Sequence, residues 1–152
     1  LEKDSVELAH STLVVAQQGD ERAHSSRRDS SGLEAALYVR ISGTEISLAL
    51  TVVNNTKKNV ELTFPTGQTH EFVVVDSIGR EMWRWSEGRM FTQALRNKLL
   101  GRGETLELGE TMKRDKPLPA GRYTARAMLT SRNHPITREA EFTITSTTVA
   151  AR

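Results

Sequence analysis

The sequence predicts an all-β domain, an antiparallel sandwich of seven to eight strands with one short helical turn. Three observations carry that expectation. Apolar residues alternate with polar ones over short segments, as in Glu45–Asn54. Short polar turns rich in Asn, Asp, Gly and Pro separate those segments. No crossover helices alternate with the strands, which disfavours a parallel α/β layout. A closed barrel stays open as an alternative.

Residues 1–32 differ in texture from the rest and read as an N-terminal extension. Val6–Ala16 fits a short extra strand or a loose helix, and its period does not choose. Residues 17–32 are polar, rich in Ser and charge, and read as a linker or long loop, because they have too little apolar surface to offset ordering entropy. Residues 33–146 form the predicted sandwich domain, and 147–152 read as a tail.

From Leu33 the strands follow in order. Leu33–Ile41 is apolar with partial alternation, ended by Gly43. In Glu45–Asn54 the residues Ile46, Leu48, Leu50 and Val52 share one face, as in a half-buried strand. Asn54–Asn59 is turn chemistry. Val60–Phe64 resumes, and Pro65 stops the ladder by removing a donor. Thr69–Asp76 carries Phe72, Val73, Val74 and Val75 in a row, which predicts cover on both faces and a central position. Asp76–Gly79 reads as a hairpin turn with Gly79 at positive φ. Glu81–Trp85 is its return strand, with Trp83 and Trp85 on one face.

After the turn 86–89, Phe91, Ala94 and Leu95 stand at i, i+3 and i+4, which predicts one or two helical turns within Met90–Leu100. Glu104–Leu108 alternates again. Residues 109–120 read as loop. Tyr123, Ala125, Ala127 and Leu129 share a face, and Ile136–Thr145 closes the domain with Ala140, Phe142 and Ile144 inward. The Pro-x-Gly turn before Tyr123 resembles the entry to a late strand of immunoglobulin-like domains, where an inward tyrosine hydroxyl anchors the corner.

Composition narrows the function classes. The chain has 152 residues and no cysteine, which excludes disulfide frameworks, thiolate metal sites and cysteine nucleophiles. A formal charge of +2, with bases interleaved with acids, does not make the basic stripe of a nucleic-acid reader. No run approaches the roughly 18 apolar residues a membrane helix needs.

Chemistry is sparse. His10, His24, His70 and His134 form no metal-ligand spacing, so no metal site and no cofactor is expected. His10 and His24 read as solvated, His134 as a turn residue, and His70 as pointing outward at a strand start. His70, Asp76 and Ser86 make a paper triad, but Trp85–Gly88 lacks the G-x-S-x-G elbow that would strain and expose a nucleophile. No catalytic residue is assigned, and the chain reads as a non-enzyme. Trp83 and Trp85 read first as core; the functional reading is an aromatic platform flanked by Arg84 and Arg89.

The densest stretch, Phe64–Leu95, holds both tryptophans and three of the four phenylalanines. It contains F-P-T-G-Q (64–68), E-F-V-V-V-D (71–76), W-R-W-S (83–86) and R-M-F-T-Q-A-L (89–95). L-T-V-V-N-N-T (50–56) precedes these pieces, and G-E-T (103–105) and P-A-G-R-Y-T (119–124) follow. In order and spacing they resemble the bacterial intracellular proteinase inhibitor (BsuPI) family, over roughly Leu33–Ser146. The resemblance implies an immunoglobulin-like sandwich and inhibition of a subtilisin-type serine protease, hence a protein partner and a cytoplasmic setting. It implies no particular reactive residue.

An inhibitor of this kind presents a stiff exposed loop. Two loops qualify: Ser86–Phe91 with Gly88, Arg89 and Met90 at its tip, and Lys113–Ala120 with Pro117 and Pro119. The first is preferred, so the expected partner-binding residues are Trp85, Ser86, Glu87, Gly88, Arg89, Met90 and Phe91, acting from a monomer. The alternative is a non-inhibitory interaction module of a bacterial envelope or multidomain protein, motivated by the linker-like 17–32. Compartment is left open between cytoplasm and envelope or secretion.

Overall fold

A computed structural model describes the backbone of residues 21–28 and the whole of residues 32–145. The expected element at Val6–Ala16 and the tail 147–152 lie outside the described residues. Alternation in two long strands, strict in β3 and broken only at Ala36 in β2, sets the architecture. In β2 (Leu33–Ser42) the residues Leu33, Ala35, Leu37, Val39 and Ile41 are buried. In β3 (Glu45–Asn54) the same holds for Ile46, Leu48, Leu50 and Val52. The two pair antiparallel in full register, Leu37 opposite Leu50, so both rows face one way.

Ten strands are present among the described residues. β1 (Glu21–Arg28), β2, β3 and β8 (Thr105–Lys113) form one four-stranded sheet in the order β1-β2-β3-β8. β5 (His70–Asp76), β6 (Glu81–Arg84), β9 (Gly121–Leu129) and β10 (Ile136–Ile144) form the second, in the order β10-β9-β5-β6. β4 (Val60–Phe64) and β7 (Arg96–Leu100) make a separate two-stranded ribbon. All pairings are antiparallel. The inner faces of both sheets and the ribbon residues Leu62, Phe64 and Leu100 meet in one core. The all-β sandwich is therefore as the alternation predicts.

Several local expectations are met. β5 lies between β9 and β6, and Phe72, Val73 and Val74 are buried, with Val75 half-buried. The hairpin after it closes through Gly79 N donating to Asp76 O at 3.0 Å, with Gly79 at φ 87°. Tyr123 packs against Phe142 and donates its hydroxyl to Pro119 O at 2.6 Å, the expected corner. Burial, and then the Asp76 charge, push the phenol upward, so it stays a neutral donor.

Three expectations are corrected. No helical turn forms in Met90–Leu100: residues 91–95 are irregular, with a bend at Ala94, and Arg96–Leu100 is β7. Leu95 is 61% exposed, so the helical spacing has no core to face. So short a helix is marginal alone, and β4 supplies the backbone partners instead. Residues 21–28, read as linker, form β1 and pair with β2 from Glu21–Ile41 to Arg28–Glu34. Backbone pairing drives this strand, and no apolar alternation announces it. The strand starting near Glu104 runs on to Lys113, with Gly109 opposite Ala49 and Met112 buried.

Candidate functional site

The turn that follows β6 is built on a buried carboxylate. Glu71 begins the apolar run of β5, where a charge survives only if its oxygens are satisfied. One oxygen accepts the backbone N–H groups of Phe72 and Ser86, each at 3.1 Å. The other accepts the Ser86 hydroxyl and Arg84 Nη1, the latter at 3.2 Å. Arg84 also pairs with Glu81 at 2.9 Å, and these hydrogen bonds raise the guanidinium pKa against the opposing pull of desolvation. Glu71 therefore fixes where the chain leaves the sheet. Ser86 is a structural donor here.

From Ser86 the backbone turns tightly. Glu87 N donates to Arg84 O at 3.2 Å and Arg89 N to Ser86 O at 3.0 Å. Gly88 has φ 79°, a left-handed conformation that a side chain would strain. Arg89 folds back: its Nε donates to Trp85 O at 2.8 Å, and its guanidinium lies 4.6 Å from the Trp85 ring centroid. On its other contacts Trp85 stacks with His70 at 4.3 Å and meets Phe91 at 5.7 Å. The indole Nε1 is buried without a hydrogen-bond partner, so packing alone holds the ring. Beyond Arg89, Met90 is 96% exposed at the tip.

His70 does not point outward as expected. Its Nε2 lies 2.7 Å from Glu110 Oε2 on β8, and its Nδ1 lies 2.8 Å from Thr69 Oγ1. A carboxylate only accepts, so Nε2 donates and the ring bridges the two sheets under Trp85. Trp85 itself is half-buried, and so is Trp83, which pairs across from Val74. Both pack against the core.

The loop 65–69 braces the far side of the turn. Thr66 Oγ1 accepts from Gln68 N at 3.0 Å, and Gln68 Nε2 donates to His70 O at 2.9 Å. Gly67 N donates to Thr92 O at 2.8 Å. A Cβ on Gly67 would stand 2.5 Å from Thr92 Oγ1, so the T-G-Q and M-F-T-Q pieces meet at a contact that only glycine permits.

The second candidate loop, 113–120, offers less. Leu118 is buried, and Pro119 O is taken by Tyr123, so its apolar residue points inward. The paper triad does not assemble. His70 and Asp76 sit at opposite ends of β5, about 20 Å apart at strand rise, and Ser86 is bound to Glu71. Among the described residues no three His, Asp or Glu gather as metal ligands would.

Sequence reasoning singled out Trp85–Phe91 as the expected partner-binding segment and missed Glu71 and His70, which support it in the structure. The signal for Glu71 was an acid opening an otherwise apolar central strand.

No curated protein matches the chain. The structure is similar to the C-terminal domain of wzt, with 16% identity over 70% of this chain and 63% of that one, and a TM-score of 0.45. It is similar to a family 123 glycoside hydrolase from Clostridium perfringens, with 10% identity over 67% and 21% of the chains and a TM-score of 0.42. It is similar to the putative ApaA protein from Bordetella pertussis, with 15% identity over 84% and 94% and a TM-score of 0.34. The chain thus spans less than two thirds of the first two, and with TM-scores below 0.5 none of the three bears on function. The sequence match is of another kind. The model of the intracellular proteinase inhibitor family, BsuPI, matches residues 33–134, which take in β2 through β9 and the whole Trp85–Phe91 turn, and the chain belongs to that family.

Proposed function

We propose that the domain inhibits a serine protease of the subtilisin type by lodging the turn Ser86–Phe91 in the enzyme's cleft, as a monomer and without chemistry of its own. The observation that carries this is Met90, 96% exposed at the tip of a turn whose flanks are fixed. Arg89 is clamped to Trp85 and Ser86 to Glu71, so the turn loses little conformational freedom on binding. Membership of a family described as intracellular proteinase inhibitors supports a protease as the partner.

The test is titration of subtilisin with the purified protein. Stoichiometric inhibition is expected, weakened about tenfold or more by Met90→Ala with no loss of melting temperature. A folded protein that leaves the protease fully active at micromolar concentration overturns the reading.

A further inference from the structure

The β4–β7 ribbon has two outer edges, and they are treated differently. The β4 edge is covered. Thr63 O accepts Arg132 N at 2.7 Å, Thr63 N donates to Asn133 Oδ1 at 3.0 Å, and Glu61 O accepts Asn133 Nδ2 at 2.8 Å. These bonds settle the pairing on the other side. Thr63 and Glu61 spend their backbone groups away from β7, so their partners Asn97 and Leu99 stand in non-hydrogen-bonded pairs. The N–H and C=O of Asn97 and Leu99 therefore point off the opposite edge of β7. Among the described residues no strand pairs there.

Along that edge the described residues are open to solvent. Every residue from Thr92 to Leu99 is exposed, including Leu95 at 61% and Leu99 at 57%. Leu95, Asn97 and Leu99 share one face of the strand by the period of two. The stretch is also uniformly basic. Between Gly88 and Gly103 stand Arg89, Arg96, Lys98 and Arg102, with no acid among them. The short β6 edge, by contrast, is broken by an irregularity at Val74/Val75.

We infer that the free edge of β7 is a strand-addition site for an extended, acidic segment of a partner protein. The open amides of Asn97 and Leu99 supply the ladder, Leu95 and Leu99 the apolar contacts, and Arg96 and Lys98 the charge selection. A second copy of this chain fits poorly, because antiparallel pairing of β7 with itself sets Arg96 and Lys98 against the same cations. The site adjoins the Ser86–Phe91 turn but does not depend on the inhibitory reading.

The test uses a short blocked peptide alternating glutamate and valine, and its lysine counterpart, with the full chain. The acidic peptide should bind about tenfold or more tightly than the basic one at low salt. It should also slow hydrogen exchange at the Asn97 and Leu99 amides. N-methylation of alternate peptide amides should abolish binding without touching the protein. Arg96→Glu with Lys98→Glu should reverse the preference at unchanged melting temperature. Equal binding of both peptides, or undiminished binding of both alternately methylated forms, overturns the proposal. So does exchange protection that appears without peptide and grows with protein concentration, which would mark a second copy. Subtilisin inhibition by Met90→Ala, measured alongside, reports on the turn alone, so either reading can fail while the other stands.

Discussion

Arg89 holds Trp85 twice, once through its guanidinium 4.6 Å from the ring centroid and once through Nε on the Trp85 carbonyl at 2.8 Å. The pair closes the turn from outside, while Glu71 closes it from beneath. Arg89 is exposed, so its clamp is worth about 1 kcal/mol or less to folding. Its larger effect is to preorganise Met90. Arg89→Ala should lower unfolding free energy by no more than that amount, yet weaken protease inhibition about tenfold. Arg89→Lys, which keeps a cation but loses Nε–H, should fall between. Equal inhibition by all three proteins, measured beside thermal melts, would show that the clamp does not organise the turn.

Gly67→Ala probes the brace on the other side. Its Cβ would meet Thr92 Oγ1 at 2.5 Å and Thr92 N at 3.2 Å. Relief requires Thr92 to move, and with it the segment leading from Met90. The expected loss is about 1–3 kcal/mol, as for other overpacking changes. Thr92→Ala in the same chain removes the closer contact and should recover part of it. Denaturant titration of the single and double variants checks this; an additive double variant would deny the contact.

How far all this was legible depends on what drives each element. Strands that bury an alternating face, such as β3 and β9, were readable because burial writes period two into the sequence. Tyr123 was readable because its corner has a local signature, the preceding Pro-x-Gly. β1 and β7 were not: E-R-A-H-S-S-R-R and R-N-K-L-L pair through their backbones and leave no such pattern. At β7 the spacing of Phe91, Ala94 and Leu95 imitated a helix that no core rewards. The turn after β6, expected at 86–89, lies at residues 85–88, and its supports come from partners that are distant in sequence. Nothing local in His70 announces Glu110, which lies on another sheet.

Asn54 caps its own turn, as expected, and is also a buried junction. Its Nδ2 donates to Leu100 O at 2.9 Å and Lys58 O at 2.8 Å, and its Oδ1 accepts Thr56 N at 2.9 Å. Its backbone binds Glu104 and Gly103. One amide thus ties the end of β3 to the end of β7. Asn54→Ala strands buried carbonyls and should cost about 3 kcal/mol. Asn54→Asp sets a carboxylate against carbonyl oxygens and should cost more at neutral pH. Chemical denaturation of both variants measures the order; an Asp variant as stable as wild type at neutral pH would overturn it.

Asp76 gives the fold a defined acid response. Its Oδ1 accepts Arg80 N at 2.8 Å and Ile78 N at 3.1 Å, and its Oδ2 accepts Arg80 Nε at 3.2 Å. Partial burial pulls the carboxyl upward. The backbone bonds from Arg80 and Ile78 and the Arg80 guanidinium together outweigh it and hold Asp76 below its ordinary value of 3.8. A carboxylate with a lowered folded pKa binds its proton more readily in the unfolded chain. Its stabilisation is therefore complete above the ordinary value and is lost as pH falls through the lowered one. Asp76→Asn keeps an acceptor but loses the charge. The melting-temperature gap between wild type and Asp76→Asn should be widest at about pH 5 and above. It should narrow steadily on acidification below the ordinary aspartate value. A gap that is flat with pH, or that widens in acid, would mean that the Asp76 charge contributes nothing to the hairpin.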